Sequence, residues 1–341
     1  MNSISFLGLD IAKNVFHAVG LDAQGKQVFK KKLNRSKLLP FFCNMTPCLI
    51  SMEGCASSHY WARELSKLGH TVKLLPAQHV KPFVRGNKND FNDALAIAEA
   101  SRVPEMRPVA VKTVEQQSIQ GLHRLRRSAV ADRTALSNQV RGLLAEFGIV
   151  MNQGIETLRK RLPDILEDAE NDLSDFFRRA LWLKQNQLKE LTELVDDLSK
   201  LIQSEARQHD EIKRLQSIPG FGAIVASTFY SVIGDGQAFK SGRDVSAALG
   251  LVPRQHSSGG RNTLMGISKK GDKYLRSLLV HGARSVVNYA HRKEDRLSLW
   301  ITRLIEKRGK NKAIVALANK LARIAWAITT SKSEYRIYNA T

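Results

Sequence analysis

Cysteine is scarce in this 341-residue chain: Cys43, Cys48 and Cys55 lie close together, and there are no others. An odd number does not complete a disulfide framework, and the paired CxxC units of a zinc site are missing. Reduced, partly buried thiols in a cytosolic protein are expected. Long apolar runs are also missing, with none near the roughly 18 residues of a membrane span. The first apolar run is short and interrupted by Asp10, so no signal peptide is expected. Acidic residues thin out toward the end of the chain. Residues 206–341 hold 9 acidic against 24 basic side chains, whereas residues 1–111 hold 8 against 15 and residues 112–205 hold 15 against 14. The formal charge of +21 is therefore concentrated in the last third. Such a field suits a polyanion, either nucleic acid or an anionic membrane surface.

The opening stretch ISFLGLDIAK is apolar and strand-like, with Ile4, Phe6, Leu7 and Leu9, and carries Asp10 near its end. A carboxylate in a buried strand is costly unless its charge is compensated. NVFHAVGLD and KQVFKKKLN alternate as strands around the turn Asp22-Ala23-Gln24-Gly25, so a three-stranded meander is expected. Glu53 ends a further strand, CLISMEG, and an amphipathic helix (SSHYWARELSKLG) and the strand TVKLLP follow. Asp90 and Asp93, three apart at the start of NDFNDALAIAEA, share a helix face. This order of elements fits an RNase H/RuvC-like α/β layer over residues 1–111. Four acids on three elements suit two Mg²⁺ ions, because hard divalent cations prefer oxygen ligands. Singly, each acid also reads as structural: Glu53 as a strand-end surface acid, Asp90 and Asp93 as helix N-terminal residues favoured by the dipole.

Residues 112–205 lose the strand pattern. Leu181, Leu188, Leu191, Val195, Leu198 and Ile202 form a heptad seam. An earlier helix over 115–147 carries Leu122, Leu125, Ala129, Leu136, Val140, Leu143 and Phe147 near one face. A coiled-coil linker is expected, either an antiparallel arm joined by a connecting region over 148–175 or a dimerising element, with a self-packed helical spacer as the plain alternative. Residues 206–341 form a basic, mainly helical domain. There, Pro219, Gly220 and Gly222 sit between two helical runs like a helix-hairpin-helix, whose turn amides face a phosphate. The stretch 253–273 reads as a polar loop, with Ser257 and Ser258 among Arg254, His256 and Arg261, and with Lys269, Lys270 and Lys273 following. A serine hydroxyl needs activation before it attacks, and cations would neutralise a phosphate under attack. From residue chemistry alone, a flexible polar loop touching the DNA backbone fits better than catalysis.

GLDIAK, MEGCAS and NKNDFNDALAIA resemble the Asp-Glu-Asp-Asp domain of a bacterial insertion-sequence transposase family that includes Piv-type invertases and RNA-guided recombinases. SIPGFGAIVASTFYSVIGD, ALGLVPRQHSSGG and GISKKGDKYLRSLL are similar to that family's second domain. The resemblance covers essentially the whole chain. It implies Mg²⁺ on Asp10, Glu53, Asp90 and Asp93, and a nucleophilic serine before a glycine, matched by Ser258 before Gly259, with Ser257 one position earlier. It also implies phosphoserine-linked strand exchange on donor and target DNA, and a non-coding guide RNA that chooses the sites. A homo-oligomer, dimer or tetramer, is expected, with the metal site set against the serine of another subunit, in a cytoplasmic, nucleoid-associated enzyme. Phosphate contacts are expected at Arg254, Arg261, Lys269, Lys270, Lys273, Gly220 and Gly222. Competing readings are a RuvC-like junction endonuclease, a protein-read invertase, a non-catalytic nucleic-acid scaffold and an actin-type ATPase. The ATPase lacks its Gly-rich adenosine loops here.

Overall fold

The computed structural model describes residues 4–87, 89–258 and 261–338, with only the backbone at Arg261 and Asn262. The chain divides into two compact units, residues 1–115 with 233–240 and residues 116–232 with 241–341.

The first unit is mixed α/β. Its elements run β1 (Phe6–Ile11), β2 (Val15–Leu21), β3 (Gln27–Asn34), α1 (Arg35–Cys43), β4 (Leu49–Glu53), α2 (Ser58–Lys67), β5 (Thr71–Leu75), α3 (Ala77–Val80) and α4 (Asp90–Ser101). The sheet order is β3-β2-β1-β4-β5. β1, β2 and β3 form an antiparallel meander, and β4 and β5 run parallel to β1. The turn after β2 is held by the Asp22 carboxylate, which accepts from the amides of Gln24 and Lys26. Alternation sorts the sheet into two faces. Leu7, Leu9, Ile50 and Met52 pack with Leu38 and Phe42 of α1 and Trp61, Ala62 and Leu65 of α2. On the other face Val19 and Leu21 meet Ala94 and Ala98 of α4.

Gly8 decides how closely α4 lies on the sheet. A Cβ there would overlap the carbonyl oxygen of Ala94 and press on the amide of Ala98 at 2.5 Å. The helix backbone therefore sits directly on β1, which only a residue without a side chain permits. The thiols are free, as expected, but Cys43 and Cys55 are exposed and Cys48 alone is half-buried. The expected partial burial fails at Cys43, which ends a surface helix, and at Cys55, which lies just past the end of β4.

The second unit is helical apart from one hairpin. It comprises α5 (Val114–Ala145), α6 (Ile155–Glu167), α7 (Asp175–Gln208), α8 (Asp210–Gln216), α9 (Ala223–Ile233), α10 (Gly242–Ala248), β6 (Pro253–Ser258), β7 (Arg261–Ile267), α11 (Lys273–Tyr289), α12 (Arg296–Arg308) and α13 (Lys310–Ser331). α5 and α7 are antiparallel, since Leu136 and Leu144 pack with Leu181 and Leu188 while Ala129 packs with Val195 and Leu198. Arg126 Nε donates to Ser199 Oγ at 2.7 Å across the same pair.

Two expectations change here. The region 148–175 is not a plain connection: α6 forms within it, with Pro163 inside, and its Leu158, Leu162, Ile165 and Leu166 fill the space between the long helices. The seam of α7 is thereby buried inside the chain, so that seam is not available to a second subunit. On α5 the buried line runs through Ala129, Leu136, Val140 and Leu144, while Leu125 and Leu143 face outward and Phe147, past the end of the helix, lies against Phe177. A one-residue choice between Leu143 and Leu144 cannot be made from periodicity alone when both are leucine.

α13 centres the rest of the unit. Ala313, Ile314, Leu317, Ala318, Leu321, Ala322, Ala325 and Ile328 are buried along it. Among the described residues it is the one helix long and apolar enough to cross a membrane, and its buried face packs in the core. Asn319 Nδ2 donates to the carbonyl of Leu251 at 3.1 Å, tying α13 to the segment that leads into the hairpin. His123 of α5 is buried with its Nε2 2.8 Å from Ser227 Oγ and 3.2 Å from Thr228 Oγ1 of α9. Burial first, and the neighbouring Arg126 second, push its pKa down to about 4.

Two predictions follow from these packings. Gly8→Ala forces α4 off β1 and lowers stability by about 1–3 kcal/mol, read as a fall in the urea midpoint of the metal-free protein. His123 is neutral in the fold and protonates near its ordinary value when unfolded. Its contribution is therefore present above about pH 6.5 and lost as pH falls toward 4. Denaturation midpoints from pH 7 to pH 4 should fall less steeply in His123→Gln than in the wild type.

Candidate active site

The sheet face under α4 gathers the acids. Asp10 follows Gly8 by two residues on β1 and shares its face. Glu53 ends β4, one position beyond the pairing of Leu9 with Met52. Asp90 and Asp93 occupy the first turn of α4, whose N-cap Asn89 accepts from the amide of Phe91 at 2.9 Å. The close seat of α4 on Gly8 is what brings that first turn to the end of β1.

The electrostatics record the convergence. The Asp10 carboxyl is pushed up to about 6, first by burial and then by the charges of Asp93, Asp90 and Glu53. Glu53 is also raised, by burial and then by Asp93. The Cys55 thiol, desolvated on its inner side although the residue is exposed overall, is raised first by that desolvation and then by the charges of Glu53 and Asp10, so it borders the same cluster. The structure thus brings together all four acids singled out from sequence. Among the described residues, no three His, Cys, Asp or Glu side chains are drawn tightly enough to grip an ion as they stand. The donor set nonetheless fits a hard divalent cation such as Mg²⁺. It is oxygen-only, partly buried and strained by like charge, which a cation relieves.

His17 was not foreseen. It lies directly across from Asp10 on β2 and is almost fully buried. Its Nδ1 is 3.5 Å from Asp90 Oδ2, and its ring meets Phe91 edge-on at 4.6 Å between centroids. It therefore braces the start of α4 from the sheet side. The short link between β1 and β2 was the available signal, because it pairs position 10 with position 17.

The second place of interest departs from expectation. Residues 253–258 and 261–267 are not loop but strand, β6 paired antiparallel with β7, with a register irregularity between Pro253 and Gln255. Every residue of β6 is exposed. With both faces in water there is no hydrophobic alternation to betray the strands. Ser257 and Ser258 point to opposite faces. Gln255 Nε2 donates to Ser257 Oγ at 2.8 Å, while Arg254 and His256 share the Ser258 face. Ser258 pairs in register with Arg261 at the hairpin end. Gly259 lies outside the described residues.

The basic candidates surround the hairpin base. Arg254, Lys269, Lys270 and Lys273 are all exposed. Lys269 has a left-handed backbone, φ 56°, and its amide donates to the Gly250 carbonyl at 3.1 Å. Arg276 Nη1 clamps the turn by donating to the Lys270 carbonyl at 2.7 Å and the Leu249 carbonyl at 3.1 Å. Lys273 opens α11, where the Asp272 carboxylate caps the amide of Leu275 at 2.7 Å. Between β7 and α13 lies an open groove of about 1270 Å³, with Leu264 and Met265 on one wall and Lys312, Lys320 and Arg323 on the other. Those last three cations were not singled out from sequence. They lie on a helix whose other face is buried in the core.

Helices α8 and α9 flank the Pro219-Gly220 turn as the helix-hairpin-helix reading expects. Gly220, φ 83°, packs against Gly282 of α11, where a Cβ would lie 2.7 Å from the carbonyl oxygen. Its lack of a side chain is thus required by packing. Gly222 faces open space.

Comparison with known proteins gives a consistent picture. The profile of the family described as "Transposase IS116/IS110/IS902 family" matches residues 212–297, and a second profile of the DEDD type, described as "Transposase", matches residues 7–149. A "Probable family 20 transposase" from Pseudomonas aeruginosa is 44% identical over 335 residues, covering 98% of this chain and 99% of its own. The "Transposase for insertion sequence element IS1111A" from Coxiella burnetii is 42% identical over 336 residues, covering 98% and 92%. A "Pilin gene-inverting protein" from Moraxella lacunata is 31% identical over 143 residues, covering 40% and 42%.

The raised carboxyl of Asp10 has a testable sign. Its neutral form is favoured in the fold, so its contribution is present below about pH 3.8 and lost as pH rises through about 6. Metal-free Asp10→Asn should therefore be more stable than the wild type at pH 8, by about 1 kcal/mol once solvent screening of a half-buried group is allowed for, and no more stable at pH 4. Thermal melts with and without Mg²⁺ complete the test: the ion should raise the wild-type midpoint at pH 8 and leave the variant unchanged.

Proposed function

Since the chain belongs to the IS116/IS110/IS902 family of insertion-sequence transposases and is a DNA-cutting and rejoining enzyme, we propose that it works as an RNA-guided serine recombinase with an RNase H/RuvC-like acid site. The observation that carries the reading is the convergence of Glu53, Asp90 and Asp93 on the half-buried Asp10. Evolution tolerates four mutually repelling carboxylates where a cation is bound, and their chemistry suits phosphodiesters.

In this reading Asp10, Glu53, Asp90 and Asp93 hold Mg²⁺, which when bound supplies charge neutralisation at the reacting phosphate. His17 keeps Asp90 in place. As the Ser258 Oγ bonds to phosphorus, the bond to the strand's deoxyribose oxygen breaks and the hydroxyl proton passes to that departing oxygen. Attack of a second strand's oxygen on the phosphoserine reverses that step and restores the hydroxyl, so rejoining consumes no ATP. Ser258 is favoured over Ser257 because the Ser257 hydroxyl is already engaged by Gln255 and lies on the other face of the hairpin. Arg254, Lys269, Lys270 and Lys273 hold the phosphates on either side of the break, with Arg261 beside the serine in register.

Site choice falls to a non-coding RNA that pairs with donor and target DNA. The large basic surplus of the last third supports such a partner, because backbone contacts supply affinity without sequence. The active species is a homo-oligomer. A second reading, a protein-read invertase, is favoured by the similarity to the pilin gene-inverting proteins over 143 residues.

Two experiments test these statements. Suicide DNA substrates should give a covalent adduct on denaturing gels with wild type and Ser257→Ala but not with Ser258→Ala. Asp10→Asn, Glu53→Gln and Asp93→Asn should each abolish cleavage while DNA binding persists. An adduct that survives Ser258→Ala would point to Ser257 as nucleophile, and cleavage without any adduct would point to water. Protein expressed with its native flanking DNA should co-purify with one discrete flank-encoded RNA. Random fragments in its place would support the invertase.

A further inference from the structure

Helix α7 carries two apolar faces, and only one of them is covered. Leu181, Leu188 and Val195 are buried against α5 and α6, and Ile202 continues the same buried line. Phe176, Leu183, Leu194 and Leu201 are 77%, 71%, 48% and 51% exposed. These four are spaced 7, 11 and 7 residues apart. At about 100° per residue that spacing places them within about 20° of one another, roughly 120° around the helix from the buried line. They form one stripe about 37 Å long, far more regular than scattered surface leucines.

The stripe is palindromic. Phe176 and Leu201 are equally far from the midpoint between Leu188 and Lys189, and so are Leu183 and Leu194. A two-fold axis there lays Phe176 on the partner's Leu201 and Leu183 on the partner's Leu194, each contact occurring twice, as an isologous interface requires. Charge follows the same axis. Of the charges within about 100° of the stripe, Arg179 and Lys184 precede the midpoint and Glu190, Glu193 and Asp197 follow it, whereas Arg178 is turned onto the carbonyls of Ile165, Leu166, Asn171 and Leu173 of its own chain. Antiparallel pairing sets the basic half of one helix over the acidic half of the other. Parallel pairing would superpose like charges.

We propose that the outer face of α7 is a self-docking surface that pairs antiparallel with α7 of a second copy of this chain, in the register Phe176–Leu201 and Leu183–Leu194. A contact of this length buries on the order of 1,000 Å², the size at which specific interfaces begin. This deepens the homo-oligomer reading above by naming its surface, and it replaces the α7 seam that α5 and α6 already fill. It does not depend on the serine chemistry or on RNA.

The test uses the full-length protein without nucleic acid, so its outcome is separable from the catalytic reading. Sedimentation at micromolar concentration should show a dimer or a multiple of it. Leu183→Glu/Leu194→Glu should halve the mass with an unchanged circular dichroism spectrum, because both side chains are exposed. In a Cys43→Ser/Cys55→Ser background, Leu183→Cys and Leu194→Cys should cross-link on oxidation when mixed, and neither should cross-link alone. A monomeric wild type, an unchanged mass in the double variant, or self-linking of Leu183→Cys, the mark of a parallel pair, would each overturn the proposal.

Discussion

The first unit depends on one close approach, the backbone of α4 lying on Gly8 of β1. Without a side chain at that position the helix descends onto the sheet, and its first turn arrives where β1 ends. Asp10 is two residues along the same face, so Asp90 and Asp93 meet it there, and Glu53 arrives from the neighbouring parallel strand. The cluster is electrostatically unfavourable by itself, and the raised Asp10 carboxyl is its signature. What holds it is apolar packing: Ala94 and Ala98 on Val19 and Leu21 above the sheet, and the Phe42–Trp61 layer below. Stability is thus supplied by the core on both sides of a site that opposes it.

The second unit solves a different problem, which is to present a polar hairpin on a rigid base. β6 and β7 bury little of themselves, so their placement rests on the segments at their feet. Asn319 holds the incoming segment at Leu251, and Arg276 holds the outgoing turn at Leu249 and Lys270. Those contacts place Ser258 on an extended, solvated strand pair while the cations at its base stay exposed. An exposed serine among cations is what a large anionic substrate would need to reach.

Much of the first unit was legible from the chain alone. Apolar alternation, the Asp22–Gly25 turn and the helix start at Asn89 each have a local cause, and the strands and α4 lie close to where those causes place them, whereas α1 was not foreseen. The four acids were legible too, because a carboxylate at the end of an apolar strand is conspicuous. His17 was not, since a histidine in a strand acquires meaning only from the residue across from it. The hairpin was missed because strands wetted on both faces leave no period-2 pattern, and α6 was missed because Pro163 reads as an interruption. Leu143 and Leu144 show the same limit at single-residue scale.

The sequence by itself determined the local elements, the concentration of positive charge and the residue types able to do phosphoryl chemistry, because these follow from near neighbours and side-chain chemistry. Tertiary structure alone decided which groups share a space. It set α4 on Gly8, faced His17 toward Asp90, turned Ser257 and Ser258 to opposite sides, and buried one face of α7 while leaving the other bare. Those outcomes depend on how closely distant backbones approach, and that distance is set by packing between segments that the linear order keeps apart.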